Sequence, residues 1–196
     1  VLGVPLAWIL ARVSFPGRKL VRALVTLPMV LPPVVGGVAL LFAFGRRGLV
    51  GQYLAGIPGF PAPFTTGAVI LAEAFVAMPF LVLTTEAGLR QMDPRYEEAA
   101  ATLGAGPWRR FWTVTLPLIA PSLAAGAALC WARALGEFGA TITFAGNLPG
   151  RTQTMPTAIY VLLESNPEHA IAVSLVLLAV SLTALVALRE RWLGLM

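Results

Sequence analysis

The chain has 196 residues, of which 58% are hydrophobic and only 12% charged, with a formal net charge of +5. A soluble domain carries about 45–50% apolar and about 25% charged residues, so this composition excludes an ordinary water-soluble domain and points to a membrane protein. One histidine, His169, and one cysteine, Cys130, exclude a disulfide framework, a clustered zinc site and a nucleophile–base pair, since each needs several such residues together.

The chain opens with VLGVPLAWILA, an apolar run of eleven residues. It is too short for the ~20 residues that cross a bilayer, and it lacks the basic start and small-residue cleavage site of a signal peptide. The expectation is the tail of a span, the native protein continuing N-terminally of Val1; a short interfacial helix is the other reading. A polar stretch, RVSFPGRKLVR, follows at 12–22. Residues 23–45 carry no charge, and a span is expected over 24–44. Pro28, Pro32, Pro33, Gly36 and Gly37 all fall inside it. Proline removes a backbone donor and clashes with the preceding turn, so the helix should kink or break near Pro32. A bilayer tolerates that where neighbours or a water-lined cavity satisfy the freed carbonyls. An ordinary kinked span and a flexible helix lining a path both fit.

An outer segment, 45–64, leads to a span at 65–86 interrupted only by Glu73, which is expected to face the protein interior. An inner loop, 87–113, is followed by a span at 114–135, an outer segment at 136–168, a span at 169–188 and an inner tail. Arg133 and Glu137 are four apart, which puts them on one helical face where they can pair. Such groups at membrane depth are pathway candidates; a solvated ion pair at the outer end is the alternative. His169, in NPEHA at a helix start, reads as a solvated polar residue.

Orientation follows the basic residues. Segment 12–22, the loop (Arg90, Arg95, Arg109, Arg110) and the tail (Arg189, Arg191) hold ten of the fourteen, all on one side if the spans alternate. That side is the cytoplasm, and Arg46, Arg47 and Arg151 are left outside. The net charge therefore reports topology and gives no support for a nucleic-acid partner.

The loop is elaborate for so apolar a chain. Asp93 can cap a helix with Pro94 in its first position. PRYEEAAATL then forms two to three turns, and Gly104 suits the left-handed residue that ends them. A second short helix can start at Pro107, with Trp108, Phe111 and Trp112 on its surface, and Pro117 falls just inside the next span. Small Ala99 and Ala100 beside aromatics and arginines suit a protein interface; an amphipathic helix lying on lipid is the alternative.

This loop resembles the signature of ABC-importer permeases: Glu-Ala-Ala, three residues, Gly, nine residues, an aliphatic, one residue, Leu-Pro. The chain supplies Glu98, Ala99, Ala100, Gly104, Val114, Leu116 and Pro117, with Val where Ile is usual. LPMVLPPVVGG, FGRRG, RALGEFGATITFAGNLPGRTQTMPTAIY and ALRERW are similar to permeases of the molybdate/sulfate/thiosulfate group, most of all the molybdate branch. Sulfate permeases carry related wording around GEFGATITFAGN.

The resemblance implies an all-α, polytopic transmembrane bundle with about five spans in view, the first partial. It makes 1–196 one permease domain, with residues 90–117 as its cytoplasmic ATPase-coupling loop. It also implies a second permease copy, two cytoplasmic ABC ATPase subunits, a periplasmic or lipid-anchored oxyanion-binding protein, and residence in the bacterial cytoplasmic membrane with a cytoplasmic C-terminus. Molybdate is the expected cargo, with tungstate or sulfate/thiosulfate as alternatives. The permease is not expected to be an enzyme or to bind a cofactor or metal: its one lysine, Lys19, sits in PGRKLV and not in a phosphate-cradling GxxxxGK[ST], so ATP and Mg belong to the partner ATPase. Pore or gate candidates are Pro32, Pro33, Gly36, Gly37, Arg133, Glu137, Phe138 and Gly139. An ion-coupled secondary transporter is the reading from another class; it needs coupling carboxylates near the midplane, for which Glu73 stands alone, and no inverted repeat is visible.

Overall fold

The computed structural model describes residues 2–54, 56–57, 60 and 62–193, with side chains as far as Val186. Val1 and the arginines of the tail, Arg189 and Arg191, therefore lie outside the described side chains. Every described regular element is a helix: α1 (Gly3–Arg12), α2 (Arg18–Val30), α3 (Pro33–Phe44), α4 (Gly51–Leu54), α5 (Thr66–Gln91), α6 (Arg95–Thr102), α7 (Pro107–Arg110), a π turn (Phe111–Thr115), α8 (Leu116–Leu135), α9 (Gly139–Phe144), α10 (Met155–Ser165) and α11 (Pro167–Leu193). Three helical stretches are long and apolar enough to cross a membrane, at Thr66–Gln91, Pro107–Leu135 and Pro167–Val186, and α1 and α3 are shorter apolar helices.

α5 is the central post. It pairs with α8 through small residues, as bilayer helices do when close backbone approach replaces a hydrophobic drive. A Cβ on Gly88 would lie 2.6 Å from Ser122 Cβ, and one on Gly126 would lie 3.0 Å from Thr84 Cβ. This antiparallel register has two consequences. Beyond Gln91, the stretch Pro107–Thr115 projects past the end of α5 with the loop. At the other end α8 stops at the level of Phe75, well short of the start of α5.

α9 fills the space left beside the outer half of α5. Leu40 of α3, Ala68, Ala72 and Val76 of α5, and Ala140 and Phe144 of α9 form one buried cluster. The expected outer segment 136–168 is thus corrected: its first part is a short helix inside the bundle, and α10 is a second helix. The expected span at 24–44 is also two helices, α2 and α3. Leu31 and Pro32 between them are extended (ψ 135° and 134°), and Pro33 takes the first position of α3. The bundle therefore holds two discontinuous spans, α2/α3 and α8/α9.

The second helix of the loop is not separate from the span at 114–135. α7 runs through the π turn into α8, where the Leu116 N–H reaches the Phe111 carbonyl. Pro117 has no N–H, and its ring crowds the carbonyl four residues earlier. A wider turn just before it accommodates that crowding within a continuous helix.

Candidate coupling loop and broken-helix junction

The loop folds as its residues dictate. Asp93 Oδ1 accepts the Arg95 N–H at 2.9 Å. At the other end of α6, Gly104 has φ +82°, with Gly104 N–H on the Ala101 carbonyl at 2.9 Å and Ala105 N–H on the Ala100 carbonyl at 3.0 Å. That pair of bonds is the full Schellman termination, and the left-handed residue it needs is why glycine stands there. Glu98, Ala99 and Gly104 are exposed, and Ala100, Val114 and Leu116 half-buried; Pro117 is exposed on the first turn of α8. Leu103 is 88% exposed and Trp108 76%, an apolar tip at the far end of the loop. Phe111, expected on the surface with the two tryptophans, is half-buried, its ring edge-on to Trp112 at 5.3 Å.

What holds the loop to the bundle is a residue the sequence did not single out. Glu97 lies 3.3 Å from the Arg12 guanidinium at the end of α1, and its Oε1 accepts the Thr115 hydroxyl at 2.6 Å within the π turn. Deeper in, buried Glu86 of α5 pairs with Arg22 of α2 and with Arg90 at 2.9 Å. Arg90 also donates to the Leu10 carbonyl at 3.2 Å, and Arg18 donates to the same carbonyl, so two guanidiniums satisfy the open C-terminal end of α1. Four of the arginines that reported topology, Arg12, Arg18, Arg22 and Arg90, thus also join α1, α2, α5 and α6 at one end of the molecule.

The two breaks meet at mid-depth. A Cβ on Gly139 would lie 2.8 Å from Pro33 Cβ and 3.0 Å from the Val34 nitrogen. One on Gly37 would lie 2.8 Å from the Ala140 carbonyl oxygen, and one on Gly36 would lie 3.1 Å from the Phe75 ring. These glycines permit backbone contact between the two broken spans. Pro32, Pro33, Val34 and Val35 are exposed on the free side of the junction.

Arg133 and Glu137 do pair, at 2.7 Å, although α8 ends at Leu135 and Glu137 stands past it. Two expectations are corrected. The residues do not share a helix, and Glu137 is no solvated surface group: its side chain is 1% exposed. Its other oxygen accepts the Ala140 N–H at 2.7 Å, capping α9 with a negative charge at the favoured end. The Phe138 ring packs at a tilt against Tyr160 of α10, with centroids 5.3 Å apart. Glu73 is half-buried and faces a small cleft with Trp131, Leu135 and Met155. His169 is exposed, and its N–H is held by Asn166 Oδ1 at 3.2 Å, in keeping with the solvated reading.

Discontinuous spans around a common depth, with a capped helical knob at one end, define a polytopic transport permease. Residues 3–194 match the binding-protein-dependent transport system inner membrane components, and the chain belongs to that family. Its members are the membrane subunits of complexes with an ATPase and a substrate-binding protein, and they are not themselves enzymes. The chain is 50% identical over 180 residues to the molybdenum transport system permease protein ModB of Mycobacterium tuberculosis, covering 92% of this chain and 68% of that one. It is 42% identical over 192 residues to ModB of Escherichia coli K12, covering 98% and 84%. It is also 43% identical over 186 residues to the sulfate transport system permease protein CysT of the same organism, covering 94% and 67%. A solved bacterial ABC transporter that imports the acidic polysaccharide alginate shares the fold, with a TM-score of 0.62 at 21% identity, covering 96% of this chain and 72% of that one.

Proposed function

We propose that the chain is the permease of a molybdate importer in the bacterial cytoplasmic membrane. In this reading two copies form the path, and a cytoplasmic ATPase, which holds the ATP and Mg, engages each copy at residues 90–117. The observation that carries the coupling role is the knob itself: a capped helix ending in an exposed apolar tip, tied to α1 through Glu97 and continuous with α8 through the π turn. A push on α6 is then delivered to the backbone of α8 and, through the Arg133–Glu137 pair, to the start of α9 and the junction with α3. The path runs along the exposed side of that junction, past Pro32, Pro33 and Val34, because Gly37 and Gly139 leave no space between α3 and α9 themselves. The loop is cytoplasmic, as is the C-terminus, and the binding protein delivers the anion at the opposite end. ATP binding biases the complex between inward- and outward-facing shapes by binding one of them better.

Similarity to several molybdenum permeases supports molybdate as cargo; CysT makes sulfate the second reading. Proteoliposomes holding the permease, its ATPase and its binding protein test the assignment. ATP-dependent molybdate uptake that excess sulfate does not displace is expected. Sulfate uptake that molybdate leaves unaffected would reassign the cargo, and uptake driven by an ion gradient without ATP would place the chain among secondary transporters.

A further inference from the structure

The end of the bundle away from the loop carries arginines that topology disfavours. Positive residues are depleted outside, yet Arg46 and Arg47 follow α3 and Arg151 lies between α9 and α10. The sequence around them, 45–65 and 139–155, contains no Asp or Glu; the acidic residues of the outer segment, Glu164 and Glu168, flank the turn between α10 and α11. Among the described residues, none of the three arginines has a carboxylate within salt-bridge distance, in contrast to Arg12, Arg22, Arg90 and Arg133.

Two of the three line one cavity. Arg46 and Arg151 border a space of about 500 Å³ together with Leu41, Phe64, Thr65 and Leu148. Both stand on braced backbone. After α3, the Leu49 and Val50 N–H groups bond back to the Phe42 and Ala43 carbonyls at 3.1 and 2.9 Å. The Arg151 carbonyl accepts the Thr66 hydroxyl at 3.0 Å, and the adjoining turn is closed by buried Thr152, whose hydroxyl accepts the Leu148 N–H at 2.9 Å. The wall between them includes Phe64, a non-glycine residue at φ +62°, a conformation that persists only where the surroundings impose it. Its ring lies against Gly146, where a Cβ would come within 3.0 Å.

We propose that this cavity is an entry site for the anion: the first station on the permease for a tetrahedral dianion leaving the binding protein, held by the Arg46 and Arg151 guanidiniums. The proposal rests on the oxyanion reading above. Two unpaired guanidiniums on preset backbone suit an oxyanion, whose oxygens accept forked N–H donors. A pair without a neutralising carboxylate attracts a dianion and releases it as the site reshapes. Arg47 shares the net charge of this end but does not line the cavity.

The test compares Arg46→Gln/Arg151→Gln with Arg47→Gln in the full complex. Equilibrium dialysis of radiolabelled molybdate, and separately of sulfate, onto detergent-purified complex without binding protein reads the site directly. The double variant is expected to bind at least about tenfold more weakly, which corresponds to 1.4 kcal/mol, with Arg47→Gln within about twofold of wild type. In proteoliposomes at saturating loaded binding protein, uptake should fall in the double variant while stimulation of ATP turnover keeps its half-saturating concentration. Equal binding in all three proteins overturns the site. So does an equal loss in Arg47→Gln, which marks general surface charge, or a loss that follows the anionic lipid content of the vesicles, which marks a lipid phosphate as occupant. A shifted half-saturation by binding protein with normal uptake at saturation assigns the arginines to protein docking instead. The cargo reading is judged on wild type alone: wild-type dialysis that detects sulfate and not molybdate moves the cargo and leaves the entry site standing.

Discussion

The two ends of this bundle hold part of their positive charge in different ways. At the loop end Arg12, Arg22 and Arg90 face carboxylates, and Arg18 and Arg90 close the carbonyls at the end of α1, while Arg95, Arg109 and Arg110 around the tip have no carboxylate within salt-bridge distance among the described residues. At the other end Arg46 and Arg151 border open space, with no carboxylate within salt-bridge distance among the described residues. The same residue type thus serves two purposes. Where a carboxylate is supplied, arginine is a strut between helices; in the proposed entry site, where none is supplied, it is a donor for the arriving anion. On the proposed reading the loop end transmits force and is braced, and the far end receives cargo through arginines left without a carboxylate.

Four substitutions probe that contrast, from the largest effect to the smallest. Gly104→Val forces a β-branched residue into left-handed backbone, a strain of about 1–3 kcal/mol that misplaces Ala99 and Ala100. ATP-dependent uptake is expected to fall by about tenfold or more at unchanged membrane level, since 1.4 kcal/mol is a factor of ten. Wild-type uptake would make the loop a mere connector. Glu86→Gln removes the buried charge shared by Arg22 and Arg90 and should lower stability by about 1–3 kcal/mol, read as a reduced melting temperature in detergent. An unchanged melting temperature would remove Glu86 from the brace. Glu97→Gln breaks a partly exposed pair, so it should cost less than about 1 kcal/mol in stability. Its signature is functional: more ATP consumed per anion transported, because α6 is no longer tied to α1. A normal transport-to-ATP ratio would show that the tie is only structural. Arg151→Gln should leave stability within about 0.5 kcal/mol, as for a surface group with no partner. A clear drop in melting temperature there would mean that the far end is braced like the loop end.

Much of this was legible in the sequence wherever a residue imposes its own geometry. Charge-free runs located α8 and α11, a run broken only by Glu73 located α5, Pro32 located the α2/α3 break, and Asp93, Pro94, Gly104 and Pro107 laid out the loop. The features that were not legible depend on contacts remote in sequence. α9 is six residues long and exists because Gly37 and Gly139 allow it to lie against α3 while Glu137 caps it. No periodic pattern of that length distinguishes it from an outer loop. The spacing of Arg133 and Glu137 gave the right pair for the wrong reason, because α8 ends between them and the depth of the pair follows from the α5/α8 register. Glu97 and Glu98 are adjacent, and only the phase of α6 against Arg12 and Thr115 decides that Glu97 is the anchor and Glu98 the exposed neighbour.

The claim on which the rest depends is that α6 presents a surface to a protein partner at the braced end. Cross-linking tests it directly. With Cys130→Ala as background, Ala99→Cys is labelled with a short thiol-reactive photo-cross-linker and illuminated in membranes containing the assembled complex. The account predicts a product joining the permease to the ATPase, with a yield that changes when ATP is added, and no such product from Arg47→Cys at the other end. An Ala99→Cys thiol that yields no ATPase product and reacts only with lipid-partitioning reagents would contradict it, and would place α6 on the membrane surface.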